Sequence, residues 1–153
     1  LNRMLGRRAR RDIHIAADRI HQAADEKSPD DQLYPHASLL MIDIDNFKVY
    51  NTQYSYAGGD EVLRHTANVI RNAVYDNDFV ARIGGDEFGV ILYNASPREG
   101  ENVIRRINRA LSEQPCKYID SDGKEHSIVV TVTGSAQIIE EGASMKTALE
   151  KLS

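Results

Sequence analysis

Apolar residues recur along this chain in two periods, roughly every three to four positions in some stretches and every second position in others. The changes of period divide it into elements. From Leu1 to about Glu26, a helical stripe of Leu5, Ala9, Ile13, Ala16, Ala17, Ile20 and Ala24 predicts an amphipathic helix. Residues 27–35, bracketed by Pro29 and Pro35, predict a loop. Residues 37–44 read as a strand, Phe47 to Gly59 as an irregular or short helical passage, and Asp60 to Val74 as a helix whose core face is Leu63, Ala67, Ile70 and Val74. Asp60 stands where an N-cap acceptor belongs.

Two apolar segments over residues 79–93 flank Gly84-Gly85 and predict a hairpin with the glycine pair at its turn. Ser96-Pro97-Arg98-Glu99 then reads as a capped helix start, and the helix it opens should bury Val103, Ile104, Ile107 and Leu111 before Pro115 ends it. Cys116 to Ile119 and Ser127 to Ile139 predict strands joined around Ser121-Asp122-Gly123, and a last helix begins over Ser144 to Leu152. The order contains βαββαβ, which predicts an α/β (α+β) fold: a ferredoxin-like core, a central antiparallel sheet with surrounding helices, and an additional hairpin strand.

Candidate chemistry collects at two strand ends. The apolar run Leu39-Leu40-Met41-Ile42 ends in Asp43-Ile44-Asp45, and the hairpin carries Asp86 and Glu87 directly after its glycines. If the two strands are neighbours, Asp43 and Asp86 can converge on one hard cation, for which magnesium is the natural candidate. Asp86 and Glu87, adjacent on a strand, should face opposite sides unless the turn distorts the alternation. Each acidic segment taken alone also fits an ordinary solvated turn.

Composition narrows the classes. The 153 residues suit one domain, with 41% apolar residues to fill its core. Nineteen basic against 23 acidic residues give a formal charge of -4, which argues against a duplex nucleic-acid surface. The Arg7-Arg8-Ala9-Arg10-Arg11 cluster reads as the wet side of the first helix, balanced by Asp12 and Asp18. The single cysteine, Cys116, excludes an internal disulfide and fits a reducing compartment. The chain opens on leucine, so residues 1–153 are expected to be one domain clipped at both ends.

With both acidic strand ends identified, the sequence resembles the GGDEF domain family, the diguanylate cyclases. Gly84-Gly85-Asp86-Glu87-Phe88 carries the family signature, preceded by Arg82. Asp43-Ile44-Asp45-Asn46-Phe47-Lys48 fits its D-x-D-x-F-K motif, Asn51 follows at the familiar distance, and Gly59-Asp60 with Leu63 fits G-D-x-x-L. Leu1-Asn2-Arg3 looks like the remnant of an N-R motif. The resemblance implies condensation of two GTP molecules into cyclic di-GMP across a dimer of domains. It implies Asp43, Asp86 and the Ile44 backbone carbonyl as ligands of Mg2+, with Mn2+ as a substitute. Asn51 and Asp60 would read guanine, and Lys48 and Phe47 would lie in the GTP site. Glu87 would act on the metal or the attacking hydroxyl, with Asp86 beside it. Gly84 and Gly85 would let the backbone approach the phosphates without a side chain in the way. By the same resemblance the domain is cytoplasmic, joined to upstream sensory domains in a parent that can be membrane-attached.

Four departures qualify the match. Thr52, Ser55 and Tyr56 replace the family's aspartate, glycine and histidine. The R-x-x-D inhibitory motif becomes Tyr75-Asp76-Asn77-Asp78, which predicts weak or no product inhibition because Tyr75 offers no bidentate cation. Thr133-Gly134-Ser135 stands where S-x-G is usual, and the final-helix motif with its phosphate-binding lysine is not found. The alternative to an active cyclase is a catalytically degenerate, GTP-binding regulatory domain of a larger signalling protein.

Overall fold

The computed structural model describes residues 37–139. The expected helix over 1–26 with its arginine cluster, the loop to Pro35, the N-R remnant and the last helix lie outside the described residues.

Strand β1 (Ala37–Ile44) takes the bounds its apolar run predicts and is the second strand in from one edge of a four-stranded sheet. With β2 (Phe79–Gly84), β3 (Glu87–Leu92) and β6 (Val132–Ile139) it forms the order β2-β3-β1-β6, each neighbouring pair antiparallel. Helix α1 (Phe47–Ala73) connects β1 to β2, and α2 (Pro97–Glu113) follows β3. This is the ferredoxin-like βαββαβ arrangement, with a separate β4 (Cys116–Ile119) and β5 (Glu125–Ile128) hairpin placed between α2 and β6. The two helices pack together over a core of Leu40, Ile42, Ile44, Val90, Ile107 and Leu111.

Helix α2 follows its sequence signals closely. Ser96 caps it by accepting a hydrogen bond from the Glu99 amide at 3.2 Å, Pro97 occupies the first turn, and Val103, Ile104, Ile107 and Leu111 are buried. Among the described residues no helix is long and apolar enough to cross a membrane.

Four expectations are corrected. Residues 47–73 are helical on both sides of a break at Ser55, so Asp60 lies inside a helix and caps nothing. The buried stripe is Val62, Leu63, Thr66, Val69 and Ile70, which leaves Ala67 and Val74 at the edge of the core. The apolar run over 127–139 is not one strand but β5 and β6, separated at residues 129–131. Asn108 of α2 explains the separation: its side chain donates to the Val132 carbonyl and accepts from the Val132 amide, both at 2.8 Å, and so anchors the start of β6. Finally, the residues at the hairpin turn are Gly85-Asp86 rather than Gly84-Gly85. The register slips by one residue between Arg82 and Gly84, and Gly84 pairs with Glu87.

Candidate functional site

The slip in β2 decides where the acids lie. Gly85, with φ of 39°, occupies the left-handed region at the turn's first central position, which glycine enters at little cost. Arg82 donates from Nε to the Gly85 carbonyl at 2.9 Å and braces the same turn from outside, a role its place before the signature does not reveal. A Cβ added to either Gly84 or Gly85 would meet nothing within 4 Å, so the backbone here faces open space. Asp86 sits in the turn and Glu87 begins β3, which frees the pair from strict strand alternation.

Register brings the two acidic segments together. Asp43 is the direct cross-strand partner of Glu87, and the Ile44 amide donates to the Asp86 carbonyl at 3.1 Å. Side chains of opposed residues stand about 5 Å apart at Cβ. Asp43 feels all of its neighbours: partial burial raises its pKa above the ordinary 3.8, and the charges of Asp86, Glu87 and Asp45 raise it further. Asp43, Asp45, Asp86, Glu87 and Thr133 line an open cleft of about 480 Å³. Among the described residues no group of three or more acidic, histidine or cysteine side chains encloses a metal by itself. Oxygen donors alone, two or three carboxylates and open space beside two glycines, fit a cation that completes its shell with phosphate oxygens and water.

Beyond the cleft, Asn46 turns the chain with φ of 58° and α1 begins at Phe47 with no side-chain cap. The first-turn N–H groups of α1 are therefore unanswered by any capping side chain and favour an anion. Lys48 is exposed on this turn, and Phe47 is half-buried against the core.

Asn51, before the break at Ser55, lies against Gly59, the residue that precedes Asp60. A Cβ at Gly59 would collide with the Asn51 side chain, so glycine there lets Asn51 lie against the backbone next to Asp60. Asp60 is exposed and opens onto a second cleft of about 490 Å³, bounded also by Arg64, Arg82 and Phe88. Ser55 pays for this geometry with φ of 64° and ψ of 175°, a region that is essentially glycine's alone. Its neighbours are aromatic: Tyr54 lies edge-on to Tyr118 and His126, and Tyr118 Oη is 3.5 Å from Ser55 Oγ.

A family model described as "Diguanylate cyclase, GGDEF domain" matches residues 14–152. The chain belongs to the GGDEF domain family. Diguanylate cyclase A of Treponema denticola is 39% identical to it over 95 residues, 62% of this chain and 25% of that protein. Probable diguanylate cyclase DgcT of Escherichia coli K12 is 30% identical over 114 residues, 73% of this chain and 24% of that protein. The chain thus spans about a quarter of the length of the curated relatives it matches. Among solved structures, the GGDEF domain of YfiN (TpbB) from Pseudomonas aeruginosa is 30% identical, with a TM-score of 0.67, over 87% of this chain and 76% of that one. The GGDEF domain of DgcB from Caulobacter crescentus, solved in complex with c-di-GMP, is 25% identical, with a TM-score of 0.70, over 89% of this chain and 77% of that one.

A third cleft, of about 620 Å³, lies at the far end of α1, beside Tyr75, Asp78, Tyr93 and Arg106. In this GGDEF domain Asp78, the last residue of the Tyr75-Asp76-Asn77-Asp78 stretch, has a structural task. Asp78 is buried, and its two carboxylate oxygens accept the backbone N–H groups of Tyr75, at 2.9 Å, and Tyr93, at 3.1 Å. Arg71 donates to the Tyr75 and Asp78 carbonyls, and the Tyr75 side chain is exposed.

Proposed function

We propose that this GGDEF domain is the cyclase module of a longer signalling protein, condensing two GTP molecules into cyclic di-GMP. The observation that carries the reading is the Asp43–Glu87 cross-strand pair, tied by the Ile44–Asp86 backbone bond to a turn with no side chain in front of it. In each half-reaction the 3'-hydroxyl of one GTP attacks the α-phosphate of the other. A P–O bond forms, the bond to pyrophosphate breaks, and the hydroxyl proton is lost; two such steps close the ring and release two pyrophosphates. Because each domain holds one nucleotide, two domains must face each other.

Within one domain Asp43, Asp86 and the Ile44 carbonyl hold Mg2+, which when bound neutralises polyphosphate charge. Glu87, exposed at the start of β3, accepts the proton of the attacking hydroxyl or completes the cation's surroundings. Asn51 and Asp60 pair with guanine, whose N1–H and N2–H groups suit one carboxylate together. Lys48 and the uncapped first turn of α1 receive phosphate, and Gly84 and Gly85 let it approach. Asp78 spends its acceptors on the fold and Tyr75 supplies no cation, which supports weak or no product inhibition at this place.

The strained Ser55 loop motivates a second reading, a regulatory domain that binds GTP without turning it over. Calorimetric titration with GTP and magnesium, followed by chromatography of the same mixture, separates the two. The cyclase reading predicts binding and product, with turnover falling about 10²- to 10⁴-fold in Glu87→Gln. Binding with intact GTP would favour the regulatory domain.

A further inference from the structure

The D-x-D motif presents two aspartates, of which the family resemblance implicates only Asp43 in cation binding, and the structure gives them different surroundings. Asp43 faces Glu87, whereas Asp45 is turned the other way, onto the chain entering β6. Its Oδ1 accepts from the Thr133 hydroxyl at 2.7 Å, its Oδ2 from the Thr131 hydroxyl at 2.8 Å, and its amide donates to the Thr131 carbonyl at 2.9 Å. Three bonds join segments 86 and more residues apart at the rim of the cation cleft.

This clasp has a geometric consequence. In a trans peptide the N–H and C=O point in opposite directions. The Asp45 N–H points to Thr131, on the β6 side of β1, so the Ile44 carbonyl of the same peptide points to the β3 side, toward the Asp86 turn. The Ile44 amide agrees, since it donates to Asp86 on that side. The clasp therefore sets the direction of the backbone oxygen that stands beside Asp43 and Asp86.

We infer that Asp45, through Thr131 and Thr133, is a positioning residue of the cation site: it fixes the Ile44–Asp45 peptide plane and holds its own carboxylate on two hydroxyls instead of on the cation. This rests on the cation role proposed for Asp43, Ile44 and Asp86. Thr133, at the serine position of the usual S-x-G pattern, supplies one of the two hydroxyls. Partners that orient metal-binding groups commonly govern affinity by one or two orders of magnitude.

The test measures Mn2+ affinity by electron paramagnetic resonance in the complex with a non-hydrolysable GTP analogue, at a temperature where every variant is folded. The Thr131→Val/Thr133→Val double variant keeps side-chain shape and removes both donors. It is expected to weaken Mn2+ binding about tenfold, while Thr133→Ser, which restores the hydroxyl, stays within about twofold of the parent. Asp45→Asn, which keeps the shape, is measured beside them and replaces the double variant if that chain does not fold. Its affinity should also fall about tenfold. Parental Mn2+ affinity in a folded double variant, or in Asp45→Asn, overturns the inference, as does a parent that binds no Mn2+. Since the readout is cation affinity, a parent that binds Mn2+ but forms no cyclic di-GMP overturns the cyclase reading and leaves the clasp standing.

Discussion

Ser55 stands at φ 64° and ψ 175°, where a Cβ is strained, and its hydroxyl makes only a long contact with Tyr118 in return. Replacing it with glycine should stabilise the domain by about 1–2 kcal/mol in urea unfolding, since the native conformation costs glycine little. An unchanged or lowered midpoint would mean that the loop is not strained as described. Asp43 gives a prediction of opposite kind. Its folded-state pKa lies above its unfolded value of 3.8, so the folded chain keeps a proton that the unfolded chain has released. On this group's account, stability is full below the unfolded value and declines as pH rises through the raised folded value. Asp43→Asn should therefore raise the melting temperature near pH 7 without metal, and should abolish the rise expected of the parent on adding magnesium. Asp78 is predicted to act through the fold. Asp78→Ala removes the acceptor of the Tyr75 and Tyr93 amides and should cost about 1–3 kcal/mol by chemical unfolding, whereas a loss near zero would return Asp78 to a ligand-binding role.

Elements show where the sequence was legible and where it was not. Strand β1, the hairpin and α2 were readable because each carries one period bounded by strong stop signals, such as Ser96-Pro97 at one helix start. Asp43, Asp86 and Glu87 came with them as the ends of apolar strands, and the register unites them. Helix α1 was read only as an irregular or short helical passage up to Gly59, although Phe47, Tyr50 and Tyr54 carry a helical spacing that packs on the core, because its break is made by a serine in a glycine conformation that no propensity foretells. Asp60 looked like a cap for the same reason. The division of β5 from β6 depends on Asn108, which lies on a different element and leaves no local mark. Asn108→Ala should loosen the entry to β6 at a cost of about 1–2 kcal/mol, read as faster amide exchange at residues 132–134 with β2 unaffected. Equal exchange would show that β6 is anchored otherwise. The resemblance singled out Asp43, but the task of Asp45 was beyond the sequence, since alternation puts both on one face until the left-handed turn at Asn46 and the two threonines separate them.

At the scale of the whole molecule, the fold places one set of the residues proposed to bind nucleotide at the β1 and hairpin end of the sheet, and the proposed reaction needs two. The acidic cleft of Asp43, Asp86 and Glu87 lies at that end, while the cleft beside Asp78 lies at the far end of α1. The most direct measurement of the proposed activity is the initial rate of cyclic di-GMP formation from GTP and magnesium, followed by chromatography over a range of protein concentrations. The account predicts product whose rate rises with the square of protein concentration while monomers predominate, and no product with Asp86→Ala. GTP that is bound yet stays intact at every concentration would contradict it.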